Sequence, residues 1–417
     1  MAVSPTAEAV SRNPADASGI VDSLKPVARR IESIDLLRGL LMILMALDHT
    51  RDFFTSATVD ATDPTSSWPA LFFTRWITHL CAPGFVALAG TSVYLQRHRG
   101  KTRGQVGKLL LTRGLWLIFL EVTLISFGWF FQWPLPFFQV IWAIGASMVV
   151  LAALQWLPVV AVGAIGAAIV LLHNLLDPIQ SSSFGPAGAD LWKLFHESSF
   201  LMYHDHFVGL AFYPVFAWIG VMLLGYAFGP VAVAAPATRR RVSIALGATF
   251  LVAFSLLRVH SGYGDRFHWH PLSTVTQSTM FFFEVAKYPP SLEYVLVTFG
   301  VLLFLYAGFD KAVSADWLPR LRAFIDVYGR VPFFYYVLHI YLIHGTALLI
   351  TLLSHGDWRA SWIGSQALLG EGRPPGWGFS LPGIYCLWMV FVLALYPACL
   401  WFSRLKARRR DWWLSYL

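Results

Sequence analysis

From about residue 34 to residue 403 the chain is a succession of long apolar runs separated by short polar stretches. Crossing the hydrocarbon core of a bilayer takes about 20 helical residues. Ten runs are long enough: 34–54, 70–95, 108–131, 137–157, 158–177, 208–229, 242–260, 291–309, 327–353 and 382–403. A further run, Thr274 to Ala286, is too short to span and reads as a partial or re-entrant helix. The pattern predicts an all-α polytopic membrane protein, a bundle of about ten transmembrane helices.

The first run differs from the others because ionisable groups bracket it. It opens with Asp35 and Arg38, continues apolar from Leu40 to Leu47, and ends in Asp48-His49-Thr50-Arg51-Asp52. At 3.6 residues per turn, His49 lies about three turns, roughly 16 Å, beyond Arg38. Arg38, Met45, His49 and Asp52 fall on one stripe of the helix. Charges at such depth cost several kcal/mol unless they face partners or water, which makes them functional candidates.

Charge then fixes an expected orientation. Only 13% of residues are charged, and the mean hydropathy is +0.59. A net charge of +8 would suggest nucleic acid in a soluble protein; here it reads as basic loops against anionic lipid, with no nucleic-acid partner. With a cytoplasmic N-terminus, 22 of the 31 Lys and Arg residues fall inside, five fall outside and four lie within helices. The positive-inside rule therefore predicts both termini in the cytoplasm of a multi-pass cell-membrane protein. Residues 1–30 read as a disordered cytoplasmic tail, 31–403 as the membrane domain and 404–417 as a basic tail. Cys81, Cys386 and Cys399 lie in apolar segments and imply neither a disulfide framework nor a metal site.

The polar groups inside or beside the spans supply the candidate chemistry. Arg75 and His79 share a face of the second helix, and His79 could meet His49 at similar depth. The bland alternative is a structural ion pair between Arg75 and Asp48 or Asp52. Ala82-Pro83-Gly84 should kink the helix just below His79. Glu121, midway through the third span, reads as a buried partner for Arg38 or Arg75. Tyr335, Tyr336 and His339 form a polar patch, while His344 points elsewhere. His204-Asp205-His206 and His268-Trp269-His270 resemble metal-ligand clusters but read better as solvated loops. The basic stretch 97–113, with Arg99, Lys101 and Arg103, could grip phosphates or serve only to set topology.

Several motifs together carry a resemblance. Ser33-Ile34-Asp35-Leu36-Leu37-Arg38-Gly39, Leu47-Asp48-His49-Thr50-Arg51-Asp52-Phe53-Phe54, Phe73-Thr74-Arg75-Trp76 and Ala82-Pro83-Gly84-Phe85 are similar to the catalytic domain of heparan-α-glucosaminide N-acetyltransferase and its small bacterial relatives. Lys287-Tyr288-Pro289-Pro290-Ser291-Leu292 and Gly329-Arg330-Val331-Pro332-Phe333 with Leu338-His339 extend the likeness to about residue 350. The resemblance implies transfer of acetyl from cytosolic acetyl-CoA to an amine or hydroxyl, typically of a sugar, across the membrane. Lysosomal members carry a histidine in the loop after the first helix; this chain has none between His49 and His79.

The sequence thus predicts a transmembrane acetyltransferase with acetyl-CoA as co-substrate and a glycan as the expected acceptor. His49 is the expected base, oriented by Asp48 or Asp52, with His79 as second choice. Arg38 and the basic 97–113 loop, with Arg99, Lys101 and Arg103, would hold the phosphates of CoA, and Arg75 or Lys287 would stabilise the oxyanion. A secondary transporter using the same groups as a relay is the rival, but no internal repeat supports it.

Overall fold

A computed structural model describes residues 30–203, 206–355, 376–409, 411 and 414. The expected tail over 1–29 and the motif residues His204 and Asp205 lie outside the described residues. In chain order the helices are α1 (Glu32–Phe54), α2 (Pro69–Ile77), α3 (Cys81–His98), α4 (Arg103–Leu120), α5 (Ser126–Phe130), α6 (Val140–Leu154), α7 (Val159–Leu172) and α8 (Pro186–Phe195). Then come α9 (Val215–Ala227), α10 (Gly229–Val233), α11 (Pro236–His260), α12 (Val275–Phe283), α13 (Leu292–Ser314), α14 (Pro319–Arg330), α15 (Pro332–His355) and α16 (Leu381–Arg408).

Among the described residues, eight helical stretches are long and apolar enough to cross a membrane. Helix α1 carries more charge and α6 is shorter, but both occupy apolar runs that the sequence marks as spans. The short run near 274–286 forms only the nine-residue α12. Large apolar side chains project outward from the bundle, such as Val252 and Leu256 on α11, as lipid-facing helices require.

Two expected segments differ from what is observed. The run 208–229 begins as a strand: β3 (His206–Ala211) pairs antiparallel with β2 (Ser199–Tyr203) and parallel with β1 (Phe137–Phe138). Its helix starts only after Pro214, which has no N–H to continue a helical ladder. The run 327–353 is cut between α14 and α15 at Val331, since Pro332 favours an extended residue before it and opens the next helix.

Helix α1 is the axis of the bundle, with 18 of its 23 residues buried. Its neighbours include α3, α13, α14, α15 and α16. Contact with α14 is backbone to backbone. A Cβ on Gly39 would lie 2.2 Å from the Ile325 carbonyl oxygen, and one on Gly329 would lie 1.9 Å from that of Asp35. Any side chain at either position would drive the helices apart.

Candidate functional site

At the far end of α1 the ionisable groups form a neutral knot. Arg75 donates to Asp48 at 2.7 Å, and Arg51 donates to Asp48 at 3.1 Å and to Asp52 at 2.5 Å. Two carboxylates and two guanidinium groups balance, which lets them sit together at this depth. Lys287, also buried, packs its ammonium 5.0 Å from the Tyr288 ring centroid and adds its charge to the field at Asp48. The arginines therefore occupy the two acids expected to orient His49, and Arg75 is the structural ion-pair partner of Asp48.

His49 has a different partner. Its Nδ1 lies 2.7 Å from Nε2 of His339, and the rings stack at 4.9 Å with 12° between their planes. His339 Nδ1 lies 3.0 Å from the Tyr335 carbonyl oxygen, one turn earlier on α15. A carbonyl only accepts, so a neutral His339 carries its proton on Nδ1 and offers the Nε2 lone pair. His49 must then donate from Nδ1, which leaves His49 Nε2 as the basic nitrogen. Trp129 meets the His49 ring edge-on at 4.7 Å, and Tyr336 packs edge-on against both imidazoles at 6.3 and 5.5 Å. The Tyr336 hydroxyl and the Trp129 indole N–H are buried near one another without reaching hydrogen-bond geometry.

His79 does not join this pair among the described residues; its ring packs on Tyr294 at 5.5 Å. The break around it follows from Pro83. Proline cannot donate to the carbonyl four residues back, which is that of His79. The chain passes through a 3₁₀ turn at Thr78–Leu80, and the Tyr294 hydroxyl donates to the freed His79 carbonyl at 2.8 Å. Glu121 also departs from expectation, with no arginine partner among the described residues. It opens a π-helical turn, Glu121–Ile125, and accepts the Trp142 backbone N–H at 2.6 Å. His344 turns away, its Nδ1 donating to the Gly128 carbonyl at 2.9 Å, and stacks on Phe131. His268 and His270 bond to nearby backbone carbonyls, and no grouping of metal-ligating side chains occurs among the described residues.

The loop bearing Lys287 is held from three sides. Asp265 accepts the Ala286 N–H at 2.8 Å and the Ser291 hydroxyl at 2.5 Å, while His173 Nε2 bonds the Pro290 carbonyl at 2.7 Å. Asn174 accepts the Leu292 N–H at 3.0 Å.

From the opposite end of α1, a cavity of about 290 Å³ runs into the bundle. Arg38, Arg113, Arg330 and Lys406 line it together with an apolar wall that includes Leu117, Ile144 and Met148, and Tyr336 lines it as well. One space thus joins four cationic side chains, of which Arg38 pairs with Asp35 and Arg330 with Asp326, to the ring beside His49 and His339. Arg99, Lys101 and Arg103 are not on its wall. Lys101 bonds Gln96 at 2.7 Å and Arg103 bonds the Trp156 carbonyl at 2.8 Å, both in exposed positions at the loop. The cations on the wall come instead from four separate helices; of these, Arg38 and, as the last residue of the 97–113 stretch, Arg113 were expected from sequence to meet phosphates. Arg330, Lys406, Tyr336, Trp129 and His339 are not among the candidates drawn from the sequence. Only the polar spacing of Tyr335, Tyr336 and His339 hinted at any of them.

A family model described as heparan-alpha-glucosaminide N-acetyltransferase, catalytic, matches residues 30–261, more than half of the chain. The match includes His49, Arg75 and His79 and stops short of Lys287, Arg330 and His339. No curated protein matches the chain.

Proposed function

Because the chain belongs to the heparan-alpha-glucosaminide N-acetyltransferase catalytic family, we propose that this membrane acetyltransferase takes acetyl from acetyl-CoA at the basic end of the bundle. The acceptor is an amine or hydroxyl, most naturally of a glycan, reaching the His49 end from the other side. The carrying observation is the cavity that connects Arg38, Arg113, Arg330 and Lys406 to Tyr336. Four cations suit the phosphates of CoA, and an apolar throat suits its thioester arm.

The residues divide the work. His49 Nε2 takes the proton from the acceptor as its nitrogen or oxygen bonds to the thioester carbon. His339 accepts from His49 Nδ1 throughout, holding the tautomer and supporting the imidazolium that forms. Tyr336 is a better oxyanion donor than Arg75, whose guanidinium is spent on Asp48. Collapse of the tetrahedral intermediate breaks the carbon–sulfur bond, and the imidazolium proton passes to the departing thiolate. The Asp48–Arg75–Arg51–Asp52 knot fixes the end of α1 on which His49 rides. With the basic loops in the cytoplasm, donor and acceptor meet from opposite sides of the membrane.

Purified protein supplied with radiolabelled acetyl-CoA and a panel of amino sugars and neutral sugars tests this directly. Label should move to an acceptor with the wild-type protein and not with His49→Ala. Transfer by His49→Ala at the wild-type rate removes His49 as the base. Acetyl-CoA, but not adenosine, should raise the thermal midpoint of the detergent-solubilised protein; a transporter of other solutes would show no such preference.

A further inference from the structure

A second cavity, again about 290 Å³, lies between α1, α3, α9, α11 and α13. Its wall is almost wholly hydrocarbon, with Leu88, Leu224, Leu246, Phe250 and Leu302 among the lining residues. Dry apolar cavities of about 150 Å³ already take up apolar guests. Helix α11 separates it from the bilayer and turns Val252 and Leu256 outward, 58% and 67% exposed. The cavity is therefore one helix away from lipid tails.

Its polar end is as specific as its wall. Tyr306 lines it, and the Tyr306 and Ser33 hydroxyls are buried side by side without reaching hydrogen-bond geometry. One turn further along α13, buried Asp310 pairs with Arg239 and, at 3.2 Å, with Arg240. Arg239 also donates to the Ala232 carbonyl of α10, whose Val231 lines the cavity, and its Nε is buried without a hydrogen-bond partner. Arg239 and Arg240 share the one carboxylate of Asp310, so positive charge is left over beside the cavity.

We propose that this cavity holds an acyl chain of an anionic phospholipid whose phosphate rests against Arg240. The chain occupies the apolar wall between α3, α11 and α13, and the head stays at the basic face, where anionic lipid and arginine attract. This site is separate from the donor cavity and does not depend on the reaction assigned to it.

A photoactivatable phosphatidylglycerol with a diazirine in its acyl chain, added to the full-length protein in detergent, tests it. Crosslinks are expected on peptides of α11 and α13 facing the cavity, competed by unlabelled phosphatidylglycerol at least about tenfold better than by phosphatidylcholine of the same chains. Leu246→Trp, which fills the cavity from its lipid side, should abolish this crosslink. Arg240→Gln should erase the preference for phosphatidylglycerol. Leu303→Phe serves as a second filling variant if Leu246→Trp does not fold, as judged by size-exclusion profile. Equal competition by phosphatidylcholine, competition by glycerol phosphate alone, or crosslinks unchanged in a folded filling variant would overturn the proposal.

Discussion

His49 and His339 are separated by 290 residues in the chain, yet Nδ1 of one lies 2.7 Å from Nε2 of the other. Because the Tyr335 carbonyl fixes the proton on His339, the pair has a direction, and His49 Nε2 is its basic end. His49→Ala is expected to lower kcat by about 10²- to 10⁴-fold, the usual worth of a general base. His339→Ala should lose part of that, and the double variant should be no worse than His49→Ala. Steady-state kinetics of the three variants checks this; additive losses would mean that the two histidines act independently.

Assigning acetyl-CoA to the cavity lined by Arg38, Arg113, Arg330 and Lys406 predicts a contrast between two sets of cations. Arg330→Gln and Arg113→Gln should each raise KM for acetyl-CoA by about tenfold, as expected for loss of one charge-assisted phosphate contact of about 1.5 kcal/mol. Arg99→Gln, Lys101→Gln and Arg103→Gln, which are off the cavity wall, should leave KM within about twofold. Acetyl-CoA titrations at constant ionic strength decide between the loop and the cavity.

Tyr336→Phe keeps the ring against both imidazoles and removes only the hydroxyl. Loss of one oxyanion donor costs about 10²-fold in kcat. KM for acetyl-CoA should be unchanged, and a variant with wild-type kcat would assign the oxyanion to another donor.

Asp48→Asn leaves Arg75 and Arg51 without their shared carboxylate inside the bundle. Breaking a buried pair from one side typically costs about 3–5 kcal/mol. The expected result is a lower thermal midpoint in detergent, partly restored by adding Arg75→Met. If Asp48→Asn loses activity with its midpoint unchanged, the carboxylate acts in chemistry rather than in holding α1.

Glu284, in the segment between α12 and α13, has its carboxyl pushed up to about 7 by burial, with Asp63 and Asp60 adding repulsion. The native protein then holds a proton between about pH 4.5 and 7 that the unfolded chain has released. The unfolded state binds fewer protons in that window, so stability falls as pH rises through it. The thermal midpoint should decline from pH 5 to 8, and Glu284→Gln should flatten that decline.

Much of the architecture follows from local sequence because a bilayer imposes a simple rule. Each span must satisfy its own backbone hydrogen bonds, so apolar length alone marks helices such as α11, α13 and α16. The rule misled at 208–214, where a sheet rather than a helix satisfies the backbone, and at Val331, where Pro332 ends one helix and starts another. The special character of α1 was equally local. Arg38 and His49 could be picked out because a charge or imidazole in an apolar run is conspicuous without knowledge of its neighbours.

What the sequence could not determine is who meets whom across the bundle. Asp48 and Asp52 lie one and three residues from His49 in the chain, but helical geometry and the pull of Arg75 and Arg51 take them elsewhere. The partner of His49 comes from α15, and the cations near Arg38 come from α4, α14 and α16. Periodicity says which face a residue occupies and nothing about the rotation or depth of a distant helix. Those are set by packing, here by Gly39 and Gly329 letting α1 and α14 touch. The sequence by itself determined a helical membrane protein with costly groups at both ends of its first span. Only the tertiary structure decided that a cavity runs from the basic end of that span to Tyr336 and that the imidazole at the other end leans on a second imidazole.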